Sequence, residues 1–568
     1  MKAIEKFVPA YGWLRSYGRS DLSRDFSAAL IITVMLVPQS MAYALLAGLP
    51  PIYGLYASTV PAILYALFGT SKHMPVGPPA LMALLTFTSV SAIAKPGSEE
   101  YIGYVLLLAL MVGVLQLALG FLQMGFLTNF ISHPVLSGFI YASAVIIALS
   151  QVKHFLGIEP SDDHSTIGMV VSIIGKIENT NLLPLAIGVL SIATILLLGK
   201  FVPRLPGALV AVVAATLGVY LFSLDGQGVG IVGEVPRGLP RLSVPTFEFE
   251  VMRTLIPAAL IVAFVGFIES ISVAKAIASQ EKYKINSNQE LRALGLANVG
   301  TAFFSGFPVA GSFSRTAVQY QSGGRTQMAS IITALMVVAT LLFLTPLFYY
   351  LPNAALAAVI VVAVYKLLNF REARYIFKVR GPDGLALLIT FLVTLLVGVE
   401  QGIIAGAAFA LLAFLRRTAY PHIIELGYVD EEDSFIGVQT YPEAKIFPEA
   451  LILRFDARLY YANIPFLEEY LISEVPDRPK LKYVVIDSRG INSIDVTALE
   501  GLENLIAEYR ARGIHIVFTN MKKQVRERLL KSDLGDKFKD ISYPTTRDAL
   551  YDIAPLEEYK TSDPRFGQ

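Results

Sequence analysis

The sequence predicts an α-helical polytopic membrane protein that ends in a small α/β domain. Of its 568 residues 54% are apolar and only 16% are charged, whereas about 25% are charged in a typical soluble protein. The deficit is confined to residues 26–420, which consist of apolar blocks, and residues 430–568 have an ordinary soluble composition. A third observation, an internal repeat, indicates that the membrane part is built from two related halves.

The composition excludes several classes of function. The net charge of +1 gives no electrostatic support for a nucleic-acid partner. Because the chain has no cysteine, disulfides, thiolate metal sites and cysteine nucleophiles are excluded. No histidine-rich metal set or activated nucleophile occurs in the apolar segments. We therefore expect neither an enzyme nor a cofactor or metal site.

Fourteen segments can be delimited on the criterion that a span needs about 20 apolar residues, or fewer if the helix is broken. Hydropathy alone would give about eleven to thirteen spans. The predicted segments are 26–47, 52–69, 79–94, 101–122, 132–152, 181–200, 206–222, 252–279, 290–305, 312–322, 326–350, 353–368, 383–399 and 401–418.

Loop charges orient these segments. Residues 1–25 are polar and lack a signal-peptide cleavage pattern, so we expect them to be cytosolic. Lysine and arginine then fall mainly in cytoplasmic loops, as the positive-inside rule requires, and the loop Glu159–Asp163 is outside. An even number of spans returns the C-terminal domain to the cytosol, and the membrane that we expect is the inner or plasma membrane. The inside charges are Lys72, Lys200, Arg204, Lys282, Lys284, Arg325, Arg371, Arg374, Lys378, Arg380, Arg416 and Arg417.

The two halves of the membrane part resemble each other. Residues 37–44 align with 267–274, and residues 74–79 align with 307–312, at offsets of 230 and 233. The first match places Gln39-Ser40 opposite Glu269-Ser270. Seven spans per half would invert the second copy, and inverted repeats with broken helices are typical of secondary transporters. The alternative is chance similarity between apolar segments.

The second match predicts an anion site. Proline and glycine at 75–79 and 308–311 disfavour helix, so that helices can begin near Pro79 and Ser312. Each helix start carries free N–H groups and about half a positive charge, which together bind anions. Ser314 adds a hydroxyl and Arg315 a full charge. The alternative role for Arg315 is an ion pair with Glu269.

Two helices in the repeat offer further site residues. Gln39 and Tyr43 lie four residues apart and share one helix face, although hydrogen bonding between helices and core packing are alternatives. Glu269 is the carboxylate of its span and a candidate for proton coupling. Two helix ends and Arg315 give the site a positive charge of about +2, and ionised Glu269 reduces this charge to about +1. Protonation of Glu269 would favour binding of the more negative anion and would give proton–anion symport. The alternative is that Glu269 has only a structural role.

Several motifs resemble those of the SulP family of anion transporters, which includes solute carrier family 26. They are the residues 36–44 and 46–56 of the first spans, Gly69-Thr70-Ser71, Val76-Gly77-Pro78 and Ser312-Phe313-Ser314-Arg315-Thr316.

The resemblance implies a core of spans 1–4 and 8–11, a gate of spans 5–7 and 12–14, an elevator motion and a homodimer. It also implies that the anion lies between the third and tenth half-helices, lined by Gln39, Tyr43, Pro79, Ala80, Ser314 and Arg315, with Ser312 and Phe313 at the second helix start.

The chain departs from the family pattern at two places. Some relatives have an aromatic residue where Pro79 stands. The sodium-coupled bicarbonate branch resembles this chain less at the eighth span, because it has Asp at the position of Glu269 and Thr at that of Val273. The difference at Pro79 implies a different packing around the anion, whereas the differences at the eighth span favour protons over sodium as the coupling ion.

The C-terminal part alternates strands and helix. Residues 451–455, 483–487 and 515–518 read as strands, and Thr497–Arg512 has helical apolar spacing that stops at Gly513. This part resembles the STAS domain, in which a phosphorylated serine follows an Asp at the helix start. Here Val496 follows Asp495, so the phosphorylated serine is absent from its usual place. Thr497 is the remaining candidate for phosphorylation, and the alternative is a structural role at the start of the helix. We expect an assembly and dimer-contact module.

The predicted domains are 1–25 (cytosolic), 26–420 (transmembrane), 421–436 (linker), 437–556 (STAS) and 557–568 (C-terminal tail). The predicted function is secondary active transport of a sulfate-like dianion with protons across the lipid bilayer. The alternatives are a sodium-coupled bicarbonate or dicarboxylate transporter and an uncoupled anion channel or exchanger.

Overall fold

The computed structural model describes residues 7–129, 132–158, 165–202, 205–531, 535 and 539–553. Arg204, the loop Glu159–Asp163 and the predicted tail 557–568 lie outside the described residues. The chain divides into two units, Met1–Ala410 and Leu411–Gln568. The domain boundaries given above stay predictions.

The first half of the membrane unit is helical apart from one short strand. Its elements are α1 (Ala10–Arg15), α2 (Arg19–Leu46), α3 (Ile52–Tyr56), α4 (Val60–Phe68), β1 (Val76–Gly77), α5 (Ala80–Val90), α6 (Glu99–Phe121), α7 (His133–Leu156), α8 (Thr166–Gly175), α9 (Leu182–Phe201) and α10 (Gly207–Phe222).

The second half repeats this pattern, again with one short strand. Its elements are α11 (Phe249–Gln280), α12 (Ser287–Phe303), β2 (Ala310–Gly311), α13 (Phe313–Gln321), α14 (Met328–Ala339), α15 (Asn353–Tyr365), α16 (Phe370–Val379), α17 (Gly381–Leu396) and α18 (Val399–Ala419). A π-helical turn, Thr340–Leu344, and a 3₁₀ turn, Thr345–Phe348, continue α14.

All fourteen predicted segments coincide with helix in the structure. Within the described residues, eight helices are long and apolar enough to cross a membrane, and further apolar helices are shorter. The helical membrane fold is therefore confirmed, whereas the number of spans stays a prediction.

Three details differ from the sequence-based expectation. The helix of the first predicted segment, α2, begins at Arg19 rather than near 26, because Asp21 Oδ2 accepts a hydrogen bond from the Gly18 N–H (3.2 Å) and stabilises a polar first turn. The loop after the fifth segment contains α8, whose start is capped by Ser165. The basic loop after the twelfth segment is largely α16, which is amphipathic. Polar or short helices of this kind escape a search for long apolar runs.

The two short strands cross each other as an antiparallel pair. Gly77 pairs with Ala310, and Val76 pairs with Gly311. The repeat offset of 233 also maps Gly77 onto Ala310, since 77 + 233 = 310. A residue that pairs with its own repeat mate lies beside a local two-fold axis, which is the arrangement that an inverted repeat requires.

The C-terminal unit consists of β3 (Ile423–Val429), β4 (Ser434–Gly437), β5 (Ala450–Phe455), α19 (Ile464–Glu474), β6 (Tyr483–Asp487), α20 (Val496–Ala511), β7 (His515–Thr519), α21 (Lys523–Leu529), β8 (Ser542–Tyr543) and α22 (Thr546–Ile553). These strands form a six-stranded mixed sheet in the order β4-β3-β5-β6-β7-β8. Strands β5 to β8 are parallel, and β3 pairs antiparallel with both β4 and β5. The predicted α/β domain is confirmed.

Candidate anion-binding site

Both half-helices begin directly after the crossed strands. Pro79 has extended backbone angles (φ −97°, ψ 164°) and is the N-cap of α5, so the first helical residue is Ala80. This agrees with the predicted helix start near Pro79, and the extended ψ of Pro79 makes it the N-cap rather than the first helical residue. Ser312 is the N-cap of α13, as predicted, but its side chain caps no backbone N–H and lies 3.2 Å from the Ser314 hydroxyl instead.

Side chains from the long helices hold the second strand in place. Ser270 Oγ accepts a hydrogen bond from the Gly311 N–H (2.8 Å). Asn298 binds both polar groups of Val309, since its Oδ1 accepts from the N–H (2.8 Å) and its Nδ2 donates to the carbonyl oxygen (3.1 Å). Gln116 Oε1 accepts a further bond from Asn298 (3.0 Å). The strand is thus tied to α6, α11 and α12.

Arg315 points into the gap between the two half-helices. It is 2% exposed, and its Nη1 donates to the carbonyl oxygen of Pro78 (3.3 Å). Its Nε and Nη2 have no hydrogen-bond partner among the described residues. The guanidinium packs against Gly77, where an added Cβ would lie 2.9 Å from Nη1. Buried guanidinium donors without partners are costly, and an anion would satisfy them.

Glu269 lies on α11 near Arg315 without pairing with it. Its Oε2 is buried and has no hydrogen-bond partner among the described residues. The two charges are close enough to interact, but they form no direct ion pair in the described part of the chain. The alternative in which Arg315 serves only as the partner of Glu269 is not the arrangement seen.

Gln39 and Tyr43 lie on α2 and are 8% and 7% exposed. Gln39 forms no hydrogen bond with any described residue, so the alternative of bonding between helices is not seen. The Tyr43 hydroxyl lies within reach of the charges of Arg315 and Glu269. The first span therefore contributes at least Tyr43 to the surroundings of Arg315.

The remaining predicted site residues differ in their solvent exposure. Pro79 and Ala80 are buried at the start of α5, whereas Phe313 and Ser314 are exposed in the first turn of α13 and Ser312 is half-buried. The crossed strands thus bring the two helix starts together around Arg315. Two helix starts and one arginine supply a positive field of about +2, together with free backbone donors.

Two buried carboxylates anchor the loops next to the half-helices, and neither was singled out from the sequence as a site residue. Glu290 on α12 accepts hydrogen bonds from the Tyr65 hydroxyl (2.6 Å), from the N–H and hydroxyl of Thr70 (2.6 and 2.5 Å) and from the Ser71 N–H (3.1 Å). This carboxylate fixes the segment that leads into β1.

Asp25 on α2 does the same for the segment after α13. It accepts from the Arg325 N–H (2.6 Å) and from the N–H and hydroxyl of Thr326 (3.1 and 2.5 Å). Both carboxylates are fully buried. The signal that could have revealed them is a carboxylate at the edge of an apolar segment together with a threonine in a short loop of the other repeat.

Most of the membrane unit and most of the C-terminal unit each match a known protein family. The model of the sulfate permease family matches residues 22–390, and the STAS domain model matches residues 441–549. The chain belongs to the sulfate permease family. The C-terminal domain with its mixed sheet is the STAS domain of this family member.

Similar sequences in this family are named as sulfate transporters. The probable sulfate transporter 4.2 of Arabidopsis thaliana is 37% identical over 92% of this chain and 80% of its own length. A probable sulfate transporter of Mycobacterium tuberculosis (strain CDC 1551 / Oshkosh) is 35% identical over 94% of this chain and 95% of its own. This family member is therefore a multi-pass membrane transporter of sulfate or a related anion.

Solved structures show the same fold. The murine solute carrier 26 family member A9 anion transporter in the inward-facing state matches with a TM-score of 0.88 and 24% identity, over 97% of this chain and 94% of that chain. The transmembrane domain of a cyanobacterium bicarbonate transporter matches with a TM-score of 0.62 and 24% identity, over 69% of this chain and 98% of that one.

Proposed function

We propose that this sulfate permease family member is a secondary active transporter that carries a sulfate-like dianion together with a proton. The observation that carries this proposal is the crossing of β1 and β2, which joins two helix starts at an arginine whose Nε and Nη2 have no partner in the described structure. Backbone donors and a buried guanidinium together suit an oxyanion.

The anion would lie between the starts of α5 and α13. Ala80, Phe313 and Ser314 would offer backbone N–H groups, and Arg315 would offer its free guanidinium donors. Gln39 and Tyr43 would form the wall on α2, and Pro79 and Ser312 would hold the two helix starts at the correct separation. These roles rest on the geometry of the two helix starts.

A dianion is the substrate that best balances the charge of this site. Two helix starts and Arg315 supply about +2, which sulfate would neutralise. The relatives in Arabidopsis thaliana and Mycobacterium tuberculosis are named as sulfate transporters, and this supports sulfate over bicarbonate or chloride. Dicarboxylates such as succinate have the same charge and need a longer site.

Glu269 is the group that we propose for proton coupling. Its Oε2 is buried, has no partner among the described residues, and lies near Arg315. Ionised Glu269 would reduce the field at the anion by one unit, and a bound proton would restore it. At about 8 Å and an effective dielectric constant of about 20, one charge changes the binding free energy by about 2 kcal/mol per substrate charge. The proton and the dianion would therefore bind together.

An elevator-type motion would carry this site across the membrane. Ser270 and Asn298 tie β2 to α11 and α12, and Glu290 and Asp25 tie the flanking loops to the same group of helices. The site and these helices would move as one core against a gate formed by the predicted spans 5–7 and 12–14. The termini would be cytoplasmic, and the STAS domain would support a homodimer in the inner or plasma membrane.

Transport into proteoliposomes tests this proposal. Labelled sulfate, bicarbonate and succinate are offered with an inward proton gradient, an inward sodium gradient or no gradient. We expect concentrative sulfate uptake with the proton gradient alone. Uphill uptake that needs sodium would favour a sodium-coupled bicarbonate or dicarboxylate transporter, and anion flux that never exceeds equilibrium would favour a channel or exchanger.

A further inference from the structure

A second polar cavity lies away from the crossed strands, at the end of the membrane unit that is predicted to face the cytosol. Its volume is about 540 Å³. One wall is the segment after α6, with Gln123 and Phe126, and the other is the end of α11 together with the turn that leads into α12. The transport site uses none of these residues.

The lining of this cavity is cationic. Lys275 and Lys284 both line it, and no carboxylate does. Both lysines are exposed, and neither forms an ion pair or a hydrogen bond with a described residue. The cavity therefore concentrates two positive charges that the described part of the protein does not neutralise.

The polar side chains of the cavity are oriented as donors. Asn286 Oδ1 accepts hydrogen bonds from the N–H groups of Asn288 and Gln289 (3.1 and 3.2 Å), and Asn288 Oδ1 accepts from the Gly125 N–H (2.7 Å). Because these amide oxygens are already occupied, their NH₂ groups remain as donors. The bond to Gly125 also ties the two walls together. The first N–H groups of α12 are capped internally, so the cavity does not depend on the helix start.

Phe126 lines the cavity, and together with Phe121 and Leu122, which precede the cavity wall at the end of a long apolar helix, it forms an apolar rim. Phe121, Leu122 and Phe126 are 60%, 70% and 52% exposed. The guanidinium of Arg292 lies over the Phe121 ring at 4.8 Å. Exposed aromatic and aliphatic residues beside unpaired lysines are typical of a protein surface at the boundary between acyl chains and headgroups.

We propose that this cavity binds the phosphate of an anionic phospholipid headgroup from the leaflet that it faces. Lys275 and Lys284 would neutralise the phosphate, the amide and hydroxyl groups of Asn286, Asn288 and Ser287 would bind its oxygens, and the acyl chains would pack on the apolar rim. A free phosphate would contact the lysines but not the apolar rim, whereas a phospholipid would contact both, and for that reason a lipid is the better occupant.

The test measures lipid binding to the purified full-length protein by native mass spectrometry, with phosphatidic acid and phosphatidylcholine as probes. The test variant combines Lys275→Gln and Lys284→Gln. Lys282→Gln is the matched control, because Lys282 is exposed in the same turn but does not line the cavity. Since each lysine near an anionic lipid contributes about one kcal/mol, we expect roughly thirtyfold weaker phosphatidic acid binding in the double variant.

The proposal holds if phosphatidic acid binding is lost in the double variant and kept in Lys282→Gln, with phosphatidylcholine binding unchanged in both. Equal binding of phosphatidic acid by all three proteins overturns it. A competition experiment with inorganic phosphate and glycerol 3-phosphate distinguishes a lipid headgroup from a soluble anion. If either soluble anion displaces phosphatidic acid at equal concentration, the cavity is a site for a soluble anion instead. Thermal unfolding verifies the fold of each variant, and no arm depends on transport.

Discussion

Replacement of Arg315 by glutamine removes the central charge of the proposed site while it keeps most of the side-chain length. Arg315 is buried, donates to Pro78 and has Nε and Nη2 without a described partner. Glutamine can keep one hydrogen bond but supplies no charge. The change therefore isolates the electrostatic part of anion binding from the backbone donors of the two helix starts.

The expected loss follows from Coulomb's law. Arg315 lies in the first turn of α13, and its Nη1 already reaches the residue before Pro79. We therefore place the charge within about 8 Å of a bound anion. With an effective dielectric constant of about 20, the interaction is about 2 kcal/mol per anion charge. A monoanion should then lose roughly thirtyfold in affinity and a dianion roughly a thousandfold.

Isothermal titration of the purified protein with sulfate and with nitrate measures both losses. Arg315→Lys is the control, because it keeps the charge and loses only the fork geometry, so that its sulfate affinity should stay within roughly tenfold of the wild-type value. If folded Arg315→Gln loses the same factor for sulfate and nitrate, or loses no affinity, the electrostatic reasoning is wrong.

Three further perturbations test other parts of the structure. Glu269→Gln should abolish sulfate uptake driven by a pH gradient but keep counterflow exchange, measured in proteoliposomes. Burial lowers the pKa of His73, in the loop before β1, below its usual value. Protonation therefore favours the unfolded state, and the melting temperature should fall as the pH drops below about 6.5, but fall less in His73→Gln. Asp25→Asn and Glu290→Gln should each destabilise the membrane unit by at least about 2 kcal/mol in thermal melts, because each weakens several charge-assisted hydrogen bonds.

Each of these outcomes has an informative contrary result. Uphill uptake by Glu269→Gln at the wild-type rate would assign coupling to another group. An identical pH dependence of the melting temperature in His73→Gln and the wild type would mean that His73 does not contribute to it. Unchanged melting of Asp25→Asn or Glu290→Gln would mean that the loops around the half-helices do not depend on these carboxylates. Exposed Glu250→Gln serves as the control for a carboxylate change at the surface.

The half-helix starts could be predicted because the signal is local. Proline and glycine at 75–79 and 308–311 disfavour helix wherever they occur, and the repeat offset predicted that the two stretches would meet. The sequence did not decide between Pro79 as N-cap and Pro79 as first helical residue, because a proline at a helix start fits both positions. The pairing of Gly77 with Ala310 then follows from the symmetry of the repeat.

The anchoring contacts could not be predicted in this way because their partners are distant in the sequence. Glu290 binds Thr70 across 220 positions, and Asp25 binds Thr326 across 301. Nothing in the local sequence of Glu290 specifies a partner in the other repeat. Asn298 is similar, because a polar residue in an apolar segment indicates a buried hydrogen bond without naming the backbone group that it binds.

The STAS domain illustrates the same division between local and distant signals. Strands β5, β6 and β7 were predicted from branched and aromatic residues, and Tyr483–Asp487 agrees at both ends, whereas β3 (Ile423–Val429) lies in the predicted linker 421–436 and was missed. The edge strands β4 and β8 were missed because they are four and two residues long. Their place in the sheet depends on pairing with β3 and β7.

We propose that the transported anion binds between the starts of α5 and α13, next to Arg315. A structure with selenate, a sulfate analogue located by the anomalous scattering of selenium, tests it directly. We expect one strong selenium peak within hydrogen-bond distance of the backbone N–H groups of Ala80 or Phe313 and of the Arg315 guanidinium, and its loss in Arg315→Gln. A peak at another place in the membrane unit, or a peak unchanged in Arg315→Gln, would contradict it.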